Sequence, residues 1–137
     1  MLMLAGALAA GLLTITSATS ASAAGAVLIA DRPGAHGNAT VKFASKTYAN
    51  SVYLRVVDLK ADGHHVEIRL ITKHSDGSIA FWPWHANYGG STTEKEWNSS
   101  LTDAKGIVQA RIQVCVYEGS QVLDCAFSPF SKNTYWN

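Results

Sequence analysis

The chain has 137 residues, with eleven Lys or Arg against ten Asp or Glu, five His and two Cys, for a net charge of +1. Its charges are interspersed rather than grouped, which gives nucleic acid or an anionic membrane surface no basic cluster to bind. The length excludes two domains of ordinary size once the first segment is set aside and leaves one domain with a single core.

Residues 1–23 read as an export signal. Leu2 to Ile15 is an almost unbroken apolar run, followed by small polar residues and then Ala21-Ser22-Ala23, an A-x-A cleavage site. The run is about 14 residues, short of the roughly 20 that cross a bilayer as a permanent helix, and no second apolar stretch of that length follows. A membrane anchor is therefore not expected. No charged residue precedes Asp31, so the basic start usual in such signals is expected upstream of Met1. The competing reading is an apolar first helix packed in the domain, which suits the Ala/Ser/Thr-rich stretch less well.

Residues 24–40 form a distinct stretch. Gly25 to Ile29 is apolar and Ala30 to Thr40 is rich in turn formers, which fits an extended N-terminal arm with a flexible connection or a short edge strand tucked onto the domain. From 41 to 137 apolar residues recur with period two. Val52, Leu54 and Val56 alternate with Tyr53 and Arg55, and Val66, Ile68 and Leu70 with Glu67 and Arg69. The Asp58 to Gly63 turn between them predicts a hairpin.

Asp76-Gly77 marks the next turn, and Pro83 interrupts an aromatic stretch from Ile79 to Tyr88, as on an edge or bulged strand. The longest alternation places Val108, Ala110, Ile112, Val114 and Val116 on a core face and Gln109, Arg111, Gln113, Cys115 and Tyr117 on a wet one. No internal repeat is expected.

Cys115 and Cys125 are the only cysteines, and in an oxidising compartment they pair by default. A turn at Gly119-Ser120 would set them opposite each other, so the disulfide staples the final hairpin and contributes about 2 to 3 kcal/mol. Half of a metal site would need further ligands at short spacing, and these are missing. The expected fold is all-β, a single antiparallel β-sandwich with a small barrel as second choice.

Chemistry is sparse. His64 and His65 are adjacent and would point to opposite faces of a strand. His36, His74 and His85 are scattered, so solvated surface histidines are expected. No serine lies in a Gly-x-Ser-x-Gly elbow. Most acids sit in turns; Asp58 and Asp62 offer at most a weak calcium site, without a dense ligand run. No catalytic residue, metal or cofactor is expected, and an enzyme ranks last because no acid, base and nucleophile assemble. Asn98-Ser99-Ser100 is a glycosylation sequon.

One cluster stands above background: Phe81, Trp82, Trp84, Tyr88 and Trp97. Strand alternation sets Trp82 with Trp84 on one face and Phe81 with His85 on the other. Exposed members would stack on sugar rings or anchor a protein interface. Candidate partner-binding residues are Val27, Leu28 and Ile29 of the arm with Trp82, Trp84, Tyr88 and Trp97.

The Ala-rich signal ending Ala21-Ser22-Ala23, the Val57 to Gly63 run and the Arg111 to Cys125 hairpin resemble features of the small exported β-sandwich proteins of filamentous Gram-positive bacteria. In size, export, sandwich pattern and apolar start the chain is similar to the adaptor subunit of umbrella-type antibacterial toxin particles. That resemblance implies a secreted, non-enzymatic module binding another secreted or cell-surface protein. Carbohydrate recognition by Trp82, Trp84 or Trp97 is the alternative. A third reading is inhibition of an extracellular enzyme through the turn at Glu118 to Gln121.

Overall fold

Alternating apolar and polar residues build ten strands and no helix over residues 25–136, which are the residues described by the structure, a computed structural model. The export signal expected over 1–23 lies outside the described residues. One sheet has the order β1 (Ala26–Arg32), β2 (Ala35–Phe43), β3 (Tyr48–Asp58), β7 (Glu94–Thr102). The other is centred on β4 (His65–Lys73) and β8 (Gln109–Glu118). Its edges are segmented: β5 (Ile79–Phe81) and β6 (His85–Asn87) pair with β4, while β9 (Gln121–Phe127) and β10 (Ser131–Lys132) pair with β8. All pairs are antiparallel and neither sheet closes into a barrel, so the fold is the expected sandwich.

The core lies between the sheets. Leu28, Val41, Val52, Leu54 and Val56 face Val66, Ile68, Leu70, Ile112, Val114 and Val116, all buried. At roughly 25 cal/mol per Å² of apolar surface removed from water, each such side chain contributes about 1.5 to 3 kcal/mol. Cys115 and Cys125 are direct cross-strand partners and are bonded, stapling β8 to β9 across the two-residue turn Gly119-Ser120.

Two expectations are corrected. Ala30 to Thr40 is no flexible connection. Only Pro33-Gly34 turns, with Gly34 at φ +92°, and β1 and β2 pair without interruption from Ala26↔Val41 to Arg32↔Ala35. The edge-strand alternative is the one found. The small residues Ala35, Gly37 and Ala39 are there because the sheets approach closely: a Cβ on Gly37 would stand 2.1 Å from Val114 Cγ2. Their size mimics turn composition while serving packing. Deleting the segment would thus remove an entire strand.

The second correction concerns β3 and β4, which form no hairpin. The Asp58–Gly63 segment carries the chain from one sheet to the other, because β3 is flanked by β2 and β7 while β4 is flanked by β8 and the β5/β6 edge. A turn signal fixes a reversal, and both crossing and pairing satisfy it.

Candidate functional site

Register at the β5/β6 edge decides which aromatics meet solvent. Phe81 pairs with Ile71 and His85 with Ile68, so the edge carries one residue more than β4 does between these pairs. Pro83 has no N–H to donate, and the Trp82 amide bonds the Leu70 carbonyl at 3.0 Å before the chain bulges. One extra residue inverts the faces. Trp82 and His85 therefore turn inward, while Phe81 and Trp84 turn outward, correcting the expected pairing of Trp82 with Trp84.

The β9/β10 edge does the same thing. Phe127 pairs with Gln113 and Ser131 with Ala110, again with one residue more than on β8, and the Ser128 amide bonds the Ile112 carbonyl at 3.0 Å. The two edges share a sequence, Phe81-Trp82-Pro83-Trp84 and Phe127-Ser128-Pro129-Phe130. The repeat, Phe-x-Pro-aromatic, was legible and contradicts the expectation that none exists. A pseudo-twofold axis through the Leu70↔Ile112 pair relates the halves.

Each half clamps an arginine. Arg69 of β4 has its guanidinium carbon 4.3 Å from the ring centroids of both Phe81 and Trp84. Arg111 of β8 lies 4.4 Å from both Phe127 and Phe130. Such stacking is worth about 0.5 to 2 kcal/mol per ring, more as water is excluded. The symmetry breaks at one pair of positions. Arg69 Nε donates to Gln113 Oε1 at 2.8 Å, but the residue in the matching place beside Arg111 is Ile71, and Arg111 Nε is buried without an acceptor among the described residues.

Around the clamps the outer face of β4 and β8 is covered rather than wet, because long side chains lie across it. Cys115, Ile71, Gln113 and Tyr117 are buried. Trp84 packs edge-on to Tyr117, and His65 stacks between Tyr117 and Tyr88 while bonding Glu67 at 2.8 Å. Burial pushes the Tyr117 phenol up and, opposed by nearby Tyr117, pulls the Arg69 guanidinium down from its ordinary value. Exposed aromatics stand out at the surface of this face, with Phe81 61% exposed, Tyr88 71% and Phe127 47%, beside the exposed aliphatic Ile79.

The seven candidate binding residues fall in three places. Trp84 and Tyr88 lie on this face. Trp82 and Trp97 are half-buried and pack inward against the core, Trp82 along the wall of a cleft between the sheets. Val27 and Ile29 are exposed on the far sheet, but Leu28 between them is 2% exposed and belongs to the core, as strand alternation requires. Arg69, Arg111, Phe127 and Phe130 were missed, since each looked ordinary until register brought them together.

Between the sheets, where β7 faces the β5/β6 edge, a cleft of about 250 Å³ is lined by Val52, Leu54, Leu70, Trp82, Pro83, His85 and Ser99 to Leu101. Trp82 is held by its indole N–H on Thr72 Oγ1 at 2.9 Å, and His85 rests against Trp97. Burial pulls the His85 imidazole below its ordinary pKa.

One acid, base and nucleophile do assemble, against expectation. His74 Nδ1 is 2.8 Å from Ser78 Oγ and His74 Nε2 is 2.7 Å from Asp103 Oδ2. His74 is 8% exposed, and with His65 it departs from the solvated histidines expected. The nucleophile is nevertheless disarmed. The Ser78 hydroxyl donates to Asp76 at 2.6 Å, and that carboxylate would repel a developing oxyanion. The Ser78 amide also goes to Asp76 and the Gly77 amide to the His74 carbonyl, leaving neither to cradle an oxyanion. These bonds brace the β4–β5 turn, and the serine hydrogen bond holds Asp76 below the usual carboxylate range.

Asp58 and Asp62 likewise cap their own turns, accepting the amides of Lys60 and His64. No group of three or more His, Cys, Asp or Glu able to hold a metal occurs among the described residues, and no helix there is long and apolar enough to cross a membrane. No family model, curated protein or solved structure matches the chain.

Proposed function

We propose that this chain is an exported, non-enzymatic module that binds another secreted or cell-surface protein through the outer face of β4 and β8, as an adaptor in an extracellular toxin assembly would. The observation that carries this reading is the concentration of exposed Phe81, Tyr88 and Phe127 around two ring-stacked arginines on one face. Aromatic side chains and arginine supply most of the binding energy at protein interfaces. Rings locked against guanidinium groups also lose little entropy on docking. The Cys115–Cys125 disulfide supports an oxidising destination.

Co-purification from culture supernatant tests it. Phe81→Ala with Phe127→Ala should lose the partner, whereas Val27→Ser with Ile29→Ser on the far sheet should keep it. A protein that stays monomeric without any partner at native concentration would count against the proposal. Carbohydrate recognition is a second reading, favoured by the open rings of Tyr88 and Phe81, which suit stacking on a sugar. Trp84 fluorescence would then respond to a polysaccharide, and silence across a broad panel would eliminate that reading.

A further inference from the structure

We infer that the partner presents carboxylates on an extended segment to Arg69 and Arg111. The inference rests on the protein-binding reading above and names its recognition chemistry. Four arginines are present among the described residues, and two of them, Arg32 and Arg55, have carboxylates of this protein, Asp124 and Glu94. Arg69 and Arg111 pair with none within salt-bridge distance among the described residues, although both sit on the face richest in exposed aromatics. The nearest acid along that face of β4, Glu67, is committed to His65.

Stacking fixes each guanidinium plane and leaves its edge as the only polar surface to satisfy. A planar fork held in this way suits bidentate bonding to a carboxylate. Arg111 Nε is itself buried, so a partner's carboxylate meets this guanidinium through its outer amino groups. Arg69 opposes Gln113 and Arg111 opposes Ile71, so the arginines are diagonal neighbours on adjoining strands, about 7 to 8 Å apart at the backbone. Their guanidinium groups stack on rings of opposite edges, Phe81 and Trp84 for one and Phe127 and Phe130 for the other, so an acidic segment crossing the face would meet both. Lys73, stacked on Phe130, adds positive charge along the same face.

The test follows the arginine Nε–H resonances of the 15N-labelled protein while a Thr-Asp-Thr-Asp-Thr peptide is added, with Thr-Asn-Thr-Asn-Thr and polygalacturonate in parallel. The Asp peptide should move the Arg69 and Arg111 signals saturably, leave those of Arg32 and Arg55 in place and weaken with salt, and the Asn peptide should move none. Arg111→Gln should weaken binding about tenfold.

Equal responses to the two peptides, or no effect of Arg111→Gln, would overturn the inference. Shifts with polygalacturonate alone would overturn it in favour of an acidic polysaccharide. If Phe81→Ala with Phe127→Ala retains the partner while the Asp peptide still shifts both arginines, the interface reading fails alone. If the partner is lost but no shift occurs, the carboxylate assignment fails alone.

Discussion

The two edges of the β4/β8 sheet carry the same clamp on different foundations. Beneath the β9/β10 edge the sandwich is closed: β1 lies over it, Arg32 pairs with Asp124 at 2.5 Å, the clamp's second residue is the small, buried Ser128, and the disulfide ties the hairpin. Beneath the β5/β6 edge the sheets stand apart, and the same place is filled by Trp82 beside His85 and Trp97, with a cleft left over. Lys73 and Ile79 are the cross-strand pair equivalent to the cysteines. The clamp therefore depends on neither closure nor covalent bonding. It is set by a one-residue bulge at a proline and by the arginine on the neighbouring strand.

Substitutions can break this comparison at several depths. The largest effect is expected from Cys115→Ala with Cys125→Ala, which should cost about 2 to 3 kcal/mol in denaturant unfolding and loosen amide exchange on β9 well before β5. Equal loosening of both edges would contradict the independence of the halves. Next, Trp82→Ala should cost about 2 kcal/mol, since a large half-buried ring leaves and the Thr72 hydroxyl loses its donor. Its effect should centre on the open edge.

The arginines give the sharpest contrast. Arg69→Gln removes two ring contacts and strands the Gln113 carbonyl, for about 2 kcal/mol. Arg111→Gln removes two ring contacts but also a buried, unpartnered Nε–H, so its net cost should be about 1 kcal/mol or less. Equal losses by urea titration would mean that the Gln113/Ile71 asymmetry is energetically silent.

The smallest effect concerns pH. Burial depresses the folded-state pKa of His85. Below the ordinary imidazole value of about 6.5 the unfolded chain takes up a proton that the folded chain refuses, so stability falls as pH drops. His85→Gln should flatten that part of the stability curve between pH 7 and 5. An unchanged curve would assign the acid sensitivity elsewhere.

Much of this architecture was legible in the sequence. Alternation identified the inward faces of β3, β4 and β8, and the spacing around Gly119-Ser120 placed the disulfide correctly. Failures came where two structures share one local signal. Ala35, Gly37 and Ala39 have turn-like composition because the sheets nearly touch there, and Asp58–Gly63 reverses the chain without pairing its flanks. Strict period-two counting through Trp82-Pro83-Trp84 exchanged the faces, although the proline marked the place where counting should restart. The Phe-x-Pro-aromatic repeat lay in plain view, but its meaning needed the register that brings Arg69 and Arg111 to it.

The central claim is that partners dock on the outer face of β4 and β8. Hydroxyl-radical footprinting of the protein in complex with its co-purified partner tests it most directly. Protection of Phe81, Tyr88 and Phe127 with Val27 and Ile29 still labelled is the predicted result. Protection of Val27 and Ile29 with Phe81, Tyr88 and Phe127 labelled as in the free protein would contradict it.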